Sequence, residues 1–234
     1  IPDNYMIIGK AQFLKHDFWT ALETFQYVAS TYKDNPKRFD GLIWQMQTQM
    51  QLGKMADAEY MLDYLKNEKQ LPSKYKPLFA AVASDFYLKK ENYPKAIEQL
   101  TKAAELATKR ADQIRYNYIL AQIYQKVDSN DKAFAIFRKV IKMNPEYEMA
   151  FNAKINRARS FDINSADAQQ VKDELNKMLK DEKNKDYLDQ IYYALSGISM
   201  REKDTTEAFQ FLKKSVASST NNTNQKGISY LEMG

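Results

Sequence analysis

Residues 90–104 read KENYPKAIEQLTKAA, and this stretch shows the unit from which the chain is built. A polar break, Lys90-Glu91-Asn92, precedes a segment in which Ala96 and Leu100 are four residues apart, as on one face of an α-helix. Pro94 stands where the first helical turn tolerates proline. The stretch therefore predicts a turn followed by a helix that packs a small and a large apolar residue against a neighbour.

The same pair, an alanine followed four residues later by a large apolar side chain, recurs along the chain. The pairs are Ala21/Phe25, Ala58/Leu62, Ala96/Leu100, Ala133/Phe137 and Ala208/Leu212. Successive alanines are 37, 38, 37 and 75 residues apart. Because the last gap is two periods, we assign a divergent repeat between them, with Val171 and Leu175 in the corresponding positions. The period predicts six repeats.

Each repeat is expected to be a hairpin of two helices, since a helical stretch and a short polar break precede each alanine. The other breaks are Lys15-His16-Asp17, Gly53-Lys54, Asp128-Ser129-Asn130 and Lys203-Asp204. A single hairpin exposes an apolar face that only a neighbouring hairpin can cover. The sequence therefore predicts a stack of hairpins, with Trp19 and Trp44 packed into it.

The composition excludes most kinds of reaction centre. The 234 residues include no cysteine and one histidine, His16, which excludes thiolate chemistry, disulfides and nearly all imidazole-based metal or catalytic sites. The net charge is +5, but basic and acidic residues alternate, which favours a solvated surface over a nucleic-acid footprint. We expect no enzyme activity, no metal or cofactor, no nucleic-acid partner and no membrane-spanning segment.

The repeats resemble the tetratricopeptide repeat. In the first repeat the matching residues are Tyr5, Ile8, Gly9, Phe18, Ala21, Phe25 and Val28, and in the fourth they are Leu120, Ala121, Tyr124, Ala133, Phe137, Val140 and Pro145. The second repeat lacks the usual aromatic residue of the first helix, and the fifth lacks the alanine. The resemblance implies an all-α, right-handed α-solenoid of about six hairpins plus an extra C-terminal helix, acting as a non-enzymatic protein-interaction scaffold.

On this basis residues 1–234 are expected to form a single array. Its repeats are predicted at 4–35, 37–71, 74–108, 110–145, 146–183 and 185–221, with a partial repeat at 223–234. The spacing of residues 190–196 recurs at 228–234, 38 residues later, which would be the first helix of a seventh repeat. We therefore expect the sequence to be a fragment of a longer protein.

A narrower resemblance concerns residues 143–156, 177–181, 189–195 and 215–225. These segments are similar to the tetratricopeptide lipoproteins of the type IX secretion and gliding-motility apparatus, the SprE and PorW type. This resemblance implies a periplasmic protein, held at the outer membrane by an upstream lipid anchor, whose partners are other components of the secretion machine. A cytosolic adaptor that binds peptide tails is the main alternative, and an RNA-associated repeat protein is a weaker one.

A partner is expected to bind the inner face of the first helices, which lines the groove of such an array. Asn152, Asn156 and Arg159 lie at spacings of four and three residues, on one helical stripe. Amide groups can bond a peptide backbone, and a guanidinium group can bind a carboxylate. The predicted groove residues are Arg115, Tyr118, Gln122, Asn152, Asn156, Arg159, Gln190 and Tyr193. Earlier repeats place Lys10, Gln47 and Asp85 on this face, and the alternative is that such residues only face solvent or bond a neighbour.

Overall fold

The computed structural model describes residues 1–160 and 168–234, and the part of the fifth predicted repeat at 161–167 lies outside them. In these two ranges the chain forms thirteen α-helices and no strand, which confirms the predicted all-α class. The helices are α1 (Pro2–Leu14), α2 (Phe18–Thr31), α3 (Lys37–Gln51), α4 (Met55–Asn67), α5 (Lys76–Lys89), α6 (Tyr93–Leu106), α7 (Arg110–Lys126), α8 (Asn130–Lys142), α9 (Tyr147–Arg159), α10 (Ala168–Met178), α11 (Leu188–Arg201), α12 (Thr205–Ser218) and α13 (Thr223–Met233). Short 3₁₀ turns precede α5, at Ser73–Tyr75, and α11, at Glu182–Tyr187.

The chain divides into two compact units, an N-terminal unit of residues 1–116 and a C-terminal unit of residues 117–234. In the N-terminal unit, α1 to α6 form three hairpins, and α3 also contacts α2 and α5 of its neighbours. In the C-terminal unit, α8 packs against α9, α9 contacts α11, and α13 packs against α11 and α12. The assignment of all residues to a single array, with the boundaries given above, stays a prediction.

Each unit has its own apolar core. In the N-terminal unit, Ile43, Met46, Leu62 and Phe86 are fully buried in one cluster that joins α3, α4 and α5. In the C-terminal unit the fully buried side chains of the main cluster include Leu175, Ile191, Leu195 and Ile198. Among the described residues, we find no helix with the length and apolar character needed to cross a bilayer.

The two tryptophans differ in their environment. Trp44 packs beside Phe25, with ring centres 5.7 Å apart, as expected for a core residue. The expectation for Trp19 is wrong, because this side chain is 60% exposed on α2 and lies beside the Lys54 ammonium, 4.5 Å from the ring centre. Trp19 occupies the position after Phe18, so the helical turn directs it away from the contact with α1.

The same turn joins the two helices in five of the hairpins. Its central residue has a positive φ angle of 54–72°, and the residues concerned are His16, Gly53, Glu91, Asp128 and Lys203. In the third hairpin the Glu91 amide donates to the Leu88 carbonyl at 2.9 Å, and the Asn92 amide donates to the Tyr87 carbonyl at 2.8 Å. This pair of bonds is the Schellman motif, which satisfies the last carbonyls of a helix. The polar breaks in the sequence are therefore helix-ending turns.

Four of these five turns place a residue with a side chain in the left-handed region, where glycine is favoured. A β-carbon costs about 1–2 kcal/mol in that conformation. Glycine removes this cost, but it loses more backbone entropy on folding than other residues, which offsets about 0.5–1 kcal/mol of the gain. We predict that Glu91→Gly raises the free energy of unfolding by about 0.5–1 kcal/mol, measured as a higher urea midpoint at unchanged slope. Glu91→Ala keeps the β-carbon and is the control; equal stabilisation by both variants would contradict this explanation.

The recurring alanine marks a close crossing of two helices. Ala21, Ala58, Ala96, Ala133 and Ala208 are all completely buried. At the third hairpin the α5 and α6 backbones come near enough for the Ser84 hydroxyl to donate to the Ala96 carbonyl at 2.9 Å. In the first hairpin, Gly9 on α1 faces Phe25 on α2. A β-carbon added at Gly9 would lie 2.6 Å from Cε1 of Phe25. A small side chain is therefore required at each crossing.

We predict that Ala96→Leu destabilises the protein by about 1–3 kcal/mol, because the added atoms force the two helices apart. Ala56→Leu is the matched control, since Ala56 also lies in the first turns of a second helix but is exposed. Thermal unfolding followed by circular dichroism measures both. A tolerated leucine at position 96 would show that the crossing is not closely packed.

Candidate functional site

The predicted groove residues fall in both compact units. Arg115 belongs to the N-terminal unit, where its side chain is exposed, and its place in the groove stays a prediction. The other seven belong to the C-terminal unit, on α7, α9 and α11. We call these seven the C-terminal stripe: Tyr118, Gln122, Asn152, Asn156, Arg159, Gln190 and Tyr193.

Two contacts within the C-terminal stripe join consecutive first helices. The Asn156 amide on α9 donates to the Tyr118 hydroxyl on α7 at 3.2 Å. The Arg159 guanidinium carbon lies 5.8 Å from the centre of the Tyr193 ring on α11, a cation–π contact. The structure therefore brings four of the predicted residues together in pairs, and these pairs hold neighbouring hairpins together.

The N-terminal unit uses its inner-face residues in the same way. The Gln47 amide on α3 donates to the Asp85 carboxylate on α5 at 2.9 Å. Both this bond and the Asn156–Tyr118 bond join residues 38 positions apart, which is one repeat length. Lys10 lies 3.4 Å from the buried carboxylate of Asp40. A search for polar residues one period apart could have found the two 38-residue pairs in the sequence.

Three amide side chains of the C-terminal stripe have no hydrogen-bond partner among residues 1–160 and 168–234. They belong to Gln122, Asn152 and Gln190; the first is exposed and the other two are half-buried. Each lies three or four residues from a paired member of the stripe, so each is one helical turn away on the same face. The bonded pairs thus set the spacing of the helices, and the adjacent amides form no hydrogen bond to any described residue.

Arg201, which the sequence did not single out, completes the positive end of the C-terminal stripe. It donates to the carbonyl of Ala158 at 3.2 Å and to that of Arg159 at 2.5 Å, so it caps the last turn of α9. Desolvation, together with the charge of Arg159, lowers the pKa of the Arg201 guanidinium below its usual value. Arginine stays charged at neutral pH despite such a shift, so two cations adjoin the stripe here.

Both tyrosines of the stripe remain hydroxyl groups at neutral pH. Burial raises the pKa of Tyr118, and the hydrogen bond from Asn156 opposes this increase. Burial, followed by the charge of Glu232, raises the pKa of Tyr193, while Arg159 lowers it. The stripe therefore presents neutral hydroxyl and amide groups beside a guanidinium group, which is suited to binding and not to proton transfer at neutral pH.

The part of the chain that the structure describes contains no group of three or more His, Asp or Glu side chains placed to hold a metal ion. His16 lies in the first Schellman turn, where its ring meets that of Phe18 with centres 5.5 Å apart.

The fourth repeat matches a known family. Residues 114–147, which contain most of α7 and all of α8, match the tetratricopeptide repeat model. Similar solved structures include YrrB, described as a tetratricopeptide protein with an unusual peptide-binding site, at 14% identity over 89% of this chain and 99% of that one, with a TM-score of 0.63. The apo quorum sensor NprR from B. thuringiensis has a TM-score of 0.63 at 13% identity, over 99% of this chain and 69% of that one. A tetratricopeptide repeat protein from Parabacteroides merdae covers 100% of this chain and 99% of its own length at 12% identity, with a TM-score of 0.55.

The chain has the tetratricopeptide-repeat fold. This confirms the fold that the resemblance to the tetratricopeptide repeat implies. No curated protein sequence matches this chain. The narrower resemblance to secretion and gliding lipoproteins stays a prediction.

The pairing of Tyr118 with Asn156 can be measured by a double-mutant cycle. We predict that Tyr118→Phe and Asn156→Ala each destabilise the protein, with a coupling free energy of about 0.5–1.5 kcal/mol, the usual net value of one hydrogen bond. Tyr118→Phe with Asn152→Ala is the control cycle and should be additive, because Asn152 makes no bond to Tyr118. Urea unfolding measures all variants, and an additive first cycle would show that the two side chains do not hold α7 and α9 together.

Proposed function

We propose that the chain is a non-enzymatic protein-interaction scaffold that binds an extended peptide segment along the C-terminal stripe. The observation that carries this proposal is the set of unbonded amides at Gln122, Asn152 and Gln190. Half-buried amides without internal partners lose hydrogen bonds to water when a partner covers them, unless that partner supplies bonds of its own. A peptide backbone supplies alternating donors and acceptors that match a side-chain amide.

The partner segment is expected to carry a carboxylate. Arg159 is exposed, and its guanidinium group lies beside the Tyr193 ring, which restricts its conformations before any partner arrives. Two parallel N–H···O bonds from a guanidinium to a carboxylate are among the stronger polar contacts in proteins. Arg201 adds positive charge next to Arg159. The described peptide-binding site of YrrB, which has the same fold, is consistent with this type of ligand.

We further propose that the scaffold works in the bacterial envelope, as a periplasmic, outer-membrane-associated component of a type IX secretion or gliding-motility machine. The support is the resemblance of residues 143–156, 177–181, 189–195 and 215–225 to lipoproteins of that apparatus. A lipid-modified cysteine after a signal peptide in the full-length reading frame, with labelling by radioactive palmitate, is the expected result. A full-length reading frame with a fused cytosolic signalling domain would instead favour the adaptor that binds peptide tails.

The stripe is tested by selecting peptides from a displayed library and measuring their affinity by calorimetry. We predict that Arg159→Ala weakens the binding of the selected peptides by roughly 1.5–3 kcal/mol, tenfold or more in affinity, because a charge-assisted bond is lost. Asn152→Ala should weaken them by about 1 kcal/mol. The fold is expected to persist, because Arg201 bonds the carbonyl of residue 159 and not its side chain, and the exposed contact between Arg159 and Tyr193 is worth only about 0.5–1 kcal/mol.

Lys213→Ala and Asn221→Ala are the matched controls, because both residues are exposed and lie outside the stripe. They should leave the affinity within twofold of the unmodified protein. A library that yields no binder, or binders equally affected by the controls, would remove the C-terminal stripe from the proposal.

A further inference from the structure

A cleft lies wholly within the N-terminal unit, and residues of α4, α5 and α6 line it. Its volume is about 670 Å³, within the range of about 300–1,000 Å³ that is usual for ligand sites. Five lysines line it, together with two glutamates. No local sequence pattern marks this cleft, because its lysines come from α4, α5, α6 and the connection between α4 and α5.

Internal ion pairs already occupy the two glutamates of the cleft. The Glu68 carboxylate accepts a bond from Arg38 at 3.1 Å, and the Glu98 carboxylate accepts one from Lys102 at 2.8 Å. Among the described residues, no carboxylate lies within 4 Å of the ammonium groups of Lys69, Lys76 and Lys95. The Lys66 ammonium lies 3.8 Å from the exposed carboxylate of Asp63, so the excess positive charge of the cleft comes from Lys69, Lys76 and Lys95.

Two of the lysines converge on one aromatic ring at the base of the cleft. The Lys66 ammonium on α4 donates to the Tyr87 hydroxyl at 2.7 Å and lies 5.3 Å from the ring centre. The Lys95 ammonium on α6 lies 5.4 Å from the same ring centre. The pKa of the Glu98 carboxyl is lowered by the bond from Lys102 and also by the charges of Lys66 and Lys95. An anion placed between Lys66 and Lys95 would relieve the repulsion between them.

The floor of the cleft is apolar. Leu65 is fully buried there, Phe79 is half-buried, and Leu106 is 48% exposed. A ligand that matches both the positive charge and the apolar floor of the cleft has carboxylates next to an apolar side chain. Lysines and apolar residues line the same cleft, which favours alternating charged and apolar side chains over the continuous hydrocarbon of an acyl chain.

We propose that this cleft is a second binding site, which takes an acidic peptide segment with one large apolar side chain. The apolar side chain lies on Phe79 and Leu106, and the flanking carboxylates bond Lys66 and Lys95. This site shares no residue with the C-terminal stripe, and the proposal does not depend on that stripe. It gives the scaffold a second surface for partners. This surface offers lysine side chains, whereas the C-terminal stripe offers amides and an arginine.

The probe is a dye-labelled peptide in which aspartates and glutamates flank a single phenylalanine, and binding is followed by fluorescence anisotropy. We expect saturable binding that the double variant Lys66→Gln/Lys95→Gln weakens at least tenfold, since two charge-assisted bonds are lost. Leu106→Ser should weaken it by several-fold, and a peptide with alanine in place of phenylalanine should show the same decrease. Circular dichroism melting shows whether each variant is folded.

The matched control is Lys15→Gln/Lys33→Gln, which removes the same charge from exposed positions of the same unit. Lys213→Ala should leave binding of this probe unchanged, because this residue is exposed and lies outside both the cleft and the C-terminal stripe. Absence of saturable binding, or an equal loss in the control double variant, would overturn the proposal. Binding of phosphatidylserine vesicles or single-stranded RNA through Lys66 and Lys95, without peptide binding, would also overturn it.

Discussion

The structure depends on one constraint: in five of the hairpins the two helices approach so closely that only a very small side chain fits between them. A leucine-sized residue at Ala96 would separate α5 and α6, and even one methyl group at Gly9 would collide with the Phe25 ring. The close crossing brings the apolar faces into contact, and in these five hairpins the Schellman turn before the second helix sets the angle at which the chain returns. Because both features recur with the period, the same hairpin is formed repeatedly.

Stacking then gives the inner-face polar residues two different uses. Some bond across neighbouring hairpins, as Gln47 does to Asp85 and Asn156 does to Tyr118, and these are structural contacts. Others, such as Asn152 and Gln190, lie one turn away and keep free hydrogen-bonding groups. The bonded residues hold the helices at fixed spacing, so the free residues are positioned before a partner binds. Such preorganisation lowers the entropy that binding must overcome.

The two proposed binding surfaces differ in chemistry because different helices form them. The C-terminal stripe lies on first helices and offers amides with one guanidinium group, which suits an extended backbone ending in or containing a carboxylate. The lysine cleft of the N-terminal unit includes the ends of second helices and combines ammonium groups with an apolar floor. A scaffold with two such surfaces can distinguish partner segments by their side chains as well as by their backbone.

The sequence by itself determined the helical class, the hairpin, the positions of the turns and the small residue at each crossing. These features follow from local periodicity and from the conformational preferences of a few residues, such as Gly53 and Ala96. It also selected the residues of the stripe, but not which of them are bonded to each other, and it missed Arg201. Only the tertiary structure decided that Tyr118 pairs with Asn156 and that Lys66 and Lys95 converge on Tyr87. The reason is physical: these contacts join residues on different helices, and their distances are set by how the helices pack and not by any local pattern.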